Sequence, residues 1–294
     1  MTPEKMMRGI ALLLTLALVP MTQTLGQDKP AVPAEQYRIL LKEFQDAEHA
    51  HLNAATTDEE RKQGVARMDT LGLRCLELAE ANPKDPIALD VLTEVVTQEW
   101  WLDNNTSHPG WGKESRQARA ITLLLRDHLQ SNKLGETCNR VHGGFRRECE
   151  TFLRTVLEKS PHREVQGAAC LRLAQFLASR RQKLELLANQ PELARRYEGL
   201  FGKGYLEELR CQDRAKVMLE AETLYEQASE KYGDVKLPYD MTVGQQAQTE
   251  LLEIRHFAVG KEAPDIEGAD QYGQQFKLSD YRKKVVLLYF WTEF

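Results

Sequence analysis

Five cysteines, Cys75, Cys138, Cys149, Cys170 and Cys211, carry the most reactive side chains in this chain. Thiol–disulfide exchange needs a thiolate, usually made at a helix N-terminus, and a second thiol to resolve the mixed disulfide. No two of these cysteines stand as Cys-x-x-Cys, so no dithiol motif is present. Their number is odd, so at least one is unpaired within the chain. Cys138 and Cys149 are close in sequence and flank Gly143 and Gly144, which makes a structural bridge between them feasible. Cys75, Cys170 and Cys211 fall in helical patterns and read as small core residues. No catalytic residue is assigned.

The seven histidines are His49, His51, His108, His128, His142, His162 and His256. His49 and His51 lie about 200° apart on a helix and cannot share a metal. No His-Glu-x-x-His or Cys/His spacing occurs, so no metal ligand is named and the histidines read as solvated surface residues. Trp100, Trp101 and Trp111 bracket the polar loop 103–113 and read as loop packing, with a ligand surface as the minority reading. Gly143 and Gly144 have no P-loop context, and neither a nucleophile elbow nor a dinucleotide fingerprint is present. No cofactor is expected.

The elements that would position these residues are helices. Glycine and proline are sparse over 35–232, where Leu, Ala, Glu, Arg and Gln dominate. Tyr37, Leu40, Leu41, Phe44 and Ala47 keep the spacing of one buried helical face. Thr57 and Asp58 offer an N-cap with Glu60 behind it, and that helix stops near Asn82 and Pro83. Asp85 and Pro86 open the next, which ends near Trp100 and Trp101. Further helices are expected near 114–129, 145–159 and 164–187, with a short one at 193–197 ended by Gly202 and Gly204. A long one over 205–232 would be stopped by Gly233 as a C-cap. Cys75 to Pro83 and Leu224 to Asp234 resemble the second helix of a tetratricopeptide-type repeat, without a fixed period. From Val259 the chemistry changes: a hairpin turn at Gly273, a turn over 279–282, then a strand from Val285 to Trp291 apolar on both faces.

The chain has 294 residues, 42% hydrophobic and 28% charged with net charge −5, an ordinary globular balance that gives no reason to expect a nucleic-acid partner. Lys5 and Arg8 precede an apolar run from Ile10 to Val19, and Thr24 to Gly26 offers a cleavage site before Gln27. That is the pattern of an export signal, about half the ~20 residues a membrane span needs. The expected organisation is a signal peptide at 1–26, a linker at 27–34, a helical domain at 35–258 and a different segment at 259–294. The expected location is periplasmic or extracellular, with no stable membrane span.

Two motifs carry a family resemblance. Gly260, Ala263, Pro264, Asp265 and Ile266 resemble the entry motif of redoxins, within the thioredoxin-like proteins. Gly273 to Trp291 reads Gly-x-x-Phe-x-Leu-Ser-Asp-Tyr-x-x-Lys-Val-Val-Leu-Leu-x-Phe-Trp and is similar to the stretch that follows in that family. TlpA-like thiol-disulfide oxidoreductases, in exported forms with a helical N-terminal region, are the best match. The helical pattern makes the chain mainly α, an antiparallel helical array, tetratricopeptide-like in style, and the resemblance implies that it is followed by the start (hairpin plus one strand) of an α/β thioredoxin-like domain. In the family the strand continues Phe-Trp-x-x-Trp-Cys-x-x-Cys. Phe290 and Trp291 match its first two residues, and Phe294 stands where the second Trp would be. Lys283 departs from the family, which usually has Gly there.

These positions imply a thiol-disulfide oxidoreductase in complete form, acting on a protein thiol or disulfide partner. The nucleophile would be the residue after Phe294, so the chain is expected to be inactive alone. Either truncation or a UGA selenocysteine codon read as a stop would give this end. Without its sheet, the strand is expected to be poorly ordered, docked on the helices or aggregation-prone. The alternative is a helical interaction module with its own protein partner, carrying a vestigial redoxin segment.

Overall fold

The computed structural model describes residues 32–51, 57–103, 115–141, 146–201, 203–238, 240–257, 260–270 and 272–289. Among them are eleven α-helices followed by one two-stranded antiparallel sheet. The mainly α expectation holds. The expected export signal, most of the linker and the loop around Trp111 lie outside the described residues.

Helices α1 (Pro33–His49), α2 (Asp58–Ala81), α3 (Pro86–Asp103) and α4 (Arg116–Asp127) build the first part of the array, each packing on neighbours one or two along the chain. Their ends follow local side-chain chemistry. Thr57 and Glu60 form a reciprocal capping box at the start of α2. Asp85 Oδ1 accepts from the Ile87 N–H at 3.0 Å at the start of α3. Leu40, Phe44 and Ala47 of α1 turn inward to meet Met68, Leu71 and Cys75 of α2 in a shared core.

Helix α5 (Leu134–Val141) was not visible in the sequence pattern, because eight residues are too few for a clear period. Helices α6 (Arg147–Lys159) and α7 (Arg163–Asn189) follow it. Helix α7 lies against α5, α6, α8, α10 and α11 and is the centre of the array. Phe152 and Phe176 are fully buried here, each contributing about 2–3 kcal/mol by removal of apolar surface from water.

The long helix expected over 205–232 is two. Helix α8 (Pro191–Phe201) is followed by α9 (Lys203–Cys211), and α10 (Arg214–Tyr232) starts afresh. Asp213 breaks the run: its carboxylate accepts from the Ala215 and Lys216 N–H groups at 3.0 and 3.3 Å, a local bond that ends one helix and opens the next. Gly204 lies inside α9, where it was expected to end a helix. With Leu184 and Leu187 of α7, α8 and α9 enclose a small second core of Ala194, Leu206 and Leu209.

Gly233 does terminate α10, but its backbone is right-handed, so freedom at positive φ is not why glycine sits there. A Cβ on Gly233 would fall 2.4 Å from the Ser229 carbonyl oxygen of its own helix, and the bare backbone at 233 faces the start of α11 (Val243–Leu252). A Cβ on Gly244 would fall 2.8 Å from Gly233 Cα and 2.9 Å from its carbonyl oxygen, which accepts from the Gly244 N–H at 3.1 Å.

One buried charge in the array is Arg180. The Arg180 side chain, 5% exposed, pairs with Glu150 and donates to Gln212 Oε1 at 2.9 Å. Glu150 also accepts from Arg154, which reaches Glu220 on α10 at 2.6 Å. Burial would raise the Glu150 carboxyl, but the Arg180 and Arg154 guanidiniums outweigh it and hold the group below the usual carboxylate range.

Gly244→Ala will cost about 1–3 kcal/mol because backbone must move. Gly204→Ala, with open space at the added Cβ, will stabilise α9 by about 0.5–1 kcal/mol, both read by chemical denaturation. The depressed Glu150 carboxyl contributes stability that is fully present above the unfolded glutamate value of about 4.3 and is lost as pH falls through the lower folded value. Glu150→Gln will flatten that acid limb in a pH series of denaturation midpoints.

Candidate functional site

The cysteines come first. None is in a disulfide, so the expected Cys138–Cys149 bridge is not formed in the structure. Cys138 sits on α5 and Cys149 on the first turns of α6, and both helices pack on α7 rather than on each other. Each cysteine is instead fully buried as a small core residue. Burial pushes the Cys75 thiol up to about 11 and Cys170 up to about 12, and moves Cys138 upward as well. Cys170 Sγ donates to the Leu224 carbonyl at 3.3 Å, which further ties it down as a thiol. These three are protonated near neutral pH and have no nucleophilic character. Cys211 is exposed at the end of α9 with no second cysteine three positions away on either side.

The histidines are dispersed. His162 precedes α7 and contacts the Gln130 carbonyl at 3.0 Å through Nε2, and burial lowers the His128 pKa where it caps α4. Among the described residues no cluster of His, Cys, Asp and Glu could hold a metal ion. His108, His142, Gly143, Gly144 and Trp111 lie outside the described residues.

The C-terminal segment is where separately named motifs meet. Strands β1 (Glu267–Ala269) and β2 (Gln275–Lys277) form a hairpin in the register Glu267–Lys277, Gly268–Phe276 and Ala269–Gln275. Asp270 builds the turn: its Oδ1 accepts from Tyr272 and Gln274 N–H at 2.8 and 2.9 Å. Gly273 supplies the positive φ of 80° that the turn requires. The 3-10 turn Leu278–Tyr281 follows, capped by Asp280 accepting from Lys277 N–H at 3.1 Å.

Asp265 ties the entry motif to the second motif. Its carboxylate accepts from the Ser279 N–H at 2.8 Å and the Ser279 hydroxyl at 2.7 Å. Those two hydrogen bonds hold the Asp265 carboxyl below its ordinary range. The Leu278 N–H donates to the Ile266 carbonyl at 2.9 Å, and Glu262 pairs with Arg282. Gly260, Ala263 and Pro264 lead into this clasp, Gly260 at a φ of 87°. Ser279 was read in the sequence as part of a turn and of the second motif; its role as partner of Asp265 becomes visible only in the folded segment.

An open groove of about 410 Å³ lies beside the clasp, lined by Glu262, Ala263, Asp265, Leu278, Ser279, Tyr281, Arg282, Val286 and Leu288. Residues 285–289 run extended along it without sheet pairing among the described residues. The expected strand buried on both faces is therefore corrected. Val286 and Leu288 are 42% and 48% exposed toward the groove, whereas Val285 and Leu287 are 103% and 91% exposed. A strand is buried on both faces only when it has paired neighbours and a layer on either side, and β1 and β2 pair only with each other. Phe290, Trp291 and Phe294 lie outside the described residues.

Residues 259–294 match the AhpC/TSA family model. The AhpC/TSA match begins where the helices end and takes in both motifs joined by Asp265 and Ser279. It supports a redoxin-type, thioredoxin-like relationship for this segment. No curated protein and no solved structure matches the chain. No described helix is long and apolar enough to cross a membrane.

Lys283, where redoxins usually have Gly, sits at a φ of 69°. A side chain in the left-handed region costs about 1–2 kcal/mol. Lys283→Gly will therefore tighten the turn by about 0.5–1 kcal/mol once the added backbone freedom of the unfolded chain is offset. The readout is slower amide exchange at Lys284, whose N–H donates to the Tyr281 carbonyl at 3.1 Å.

Proposed function

We propose that this protein is an exported, TlpA-like member of the redoxins and that its activity is thiol–disulfide exchange with a protein partner. The observation carrying this reading is the AhpC/TSA match at 259–294, supported by the Asp265–Ser279 clasp that joins the two motifs. In the reaction, an enzyme thiolate attacks one sulfur of a partner disulfide and releases the partner's other sulfur as a thiol; a second enzyme thiol then attacks the first enzyme sulfur and displaces the partner's remaining sulfur. The partner gains two thiols and the enzyme's dithiol becomes a disulfide.

None of the cysteines within the 294 residues is placed for this. Cys75, Cys138 and Cys170 are buried and protonated, and no pair has the required spacing. The reading therefore assigns the reactive pair to positions outside these 294 residues, as the family order Phe-Trp-x-x-Trp-Cys-x-x-Cys implies. The helical array is the domain that carries this redox module, and residues 1–26 direct it out of the cytoplasm.

Reading the frame past the Phe294 codon and assaying both proteins tests the proposal. The 294-residue chain should leave the rate of insulin reduction by dithiothreitol unchanged. A protein extended through a thioredoxin-like continuation should accelerate it. A continuation with no thioredoxin-like sequence, or equal activity of the two proteins, would overturn the assignment.

A further inference from the structure

Helix α11 does not run straight into the AhpC/TSA segment. After Leu251, its last buried residue, the backbone widens into a π-helical turn at Glu253–Phe257. Such turns are rare and concentrate where function needs an irregular backbone. None of the five residues is buried, and Ile254 alone packs against the edge of the core. Arg255 supplies the second attachment. Its Nε donates to Glu222 Oε1 at 2.6 Å, and its Nη2 donates to Glu226.

Glu222 and Glu226 stand four residues apart on α10, a spacing at which like charges repel on a helix face. Arg255 reverses that repulsion by bridging both carboxylates. The three groups form a small network, which can exceed the weak contribution of an isolated surface pair. Beyond the turn, β1, β2 and the 3-10 turn pack on each other, and none of them packs on a helix to a comparable extent.

We propose that Arg255, Glu222 and Glu226 form a latch that holds the π turn on α10 and sets where the C-terminal segment leaves the helical array. Opening the latch frees the turn as a hinge without unfolding the helices. Its purpose as a hinge for a redox module rests on the function proposed above, but the latch itself does not.

Chymotrypsin cleavage after Phe257, followed by intact mass on the full 294-residue chain, tests it. Phe257 is exposed, so cleavage there reports local opening of the turn. Arg255→Ala should speed this cut about threefold or more while leaving the far-UV thermal midpoint unchanged. The reversed latch, Arg255→Glu with Glu222→Arg and Glu226→Arg, should return the rate to that of the unaltered chain. An unaltered rate in Arg255→Ala, or a reversed latch that is cut as fast as Arg255→Ala, would overturn the proposal. No thiol assay enters, so the result stands apart from the insulin experiment.

Discussion

Burial of α7 on several sides is the constraint that organises the helical array. From Val165 to Leu177 nearly every residue is buried, so this stretch has no polar stripe to offer water. A helix of that kind is stable only when other helices surround it. Gly167, Ala168, Ala169, Cys170 and Ala174 are small enough to let them come close. A Cβ on Gly167 would already lie 3.0 Å from Tyr232 Cβ on α10. The positions of α5, α6, α10 and α11 all follow from meeting this one surface.

The same burial decides what the cysteines can do. Cys138, Cys149 and Cys170 occupy small-residue positions around α7, and burial disfavours the thiolate at Cys138 and Cys170. Several polar groups enter this interior with partners. Thr93 and Thr137 share a buried hydrogen bond at 2.7 Å between α3 and α5. Arg180 has Glu150 and Gln212. Such pairs add little net energy but make a shifted packing costly, because displacement would leave a buried group unsatisfied. The helical array thus reads as a scaffold whose sulfur atoms serve packing.

Much of the fold was legible because helix ends are written in local chemistry. The Thr57–Glu60 box, the Asp85–Pro86 start and the Gly273 turn need only neighbouring residues to be recognised. The errors arose where distant contacts decide. Gly233 read only as a C-cap, whereas its backbone also receives Gly244, where a Cβ would fall 2.8 Å from Gly233 Cα. Asp213 was hidden because residues on both sides of it favour helix, so the break depends on one capping carboxylate. At the site, Asp265 was legible from its motif. Its pairing with Ser279 was not, because fourteen residues separate the two motif residues.

The C-terminal segment obeys a different balance from the array. Its order comes from short-range polar contacts: Asp270 in the turn, Asp280 under the 3-10 turn, and Asp265 across the hairpin. Its apolar residues are arranged for burial that these contacts do not provide. Val286 and Leu288 find partial cover in the groove, while Val285, Leu287 and Tyr289 face outward. An extended run with apolar side chains on both faces and unpaired backbone on both edges is the usual composition of an interior strand. Burying it requires a paired neighbour and a second layer, which is the role such a strand has at the centre of a thioredoxin-like sheet. The polar clasp at Asp265 fixes the approach to that strand independently of whether the layer is present, because every group it uses lies between Glu262 and Arg282.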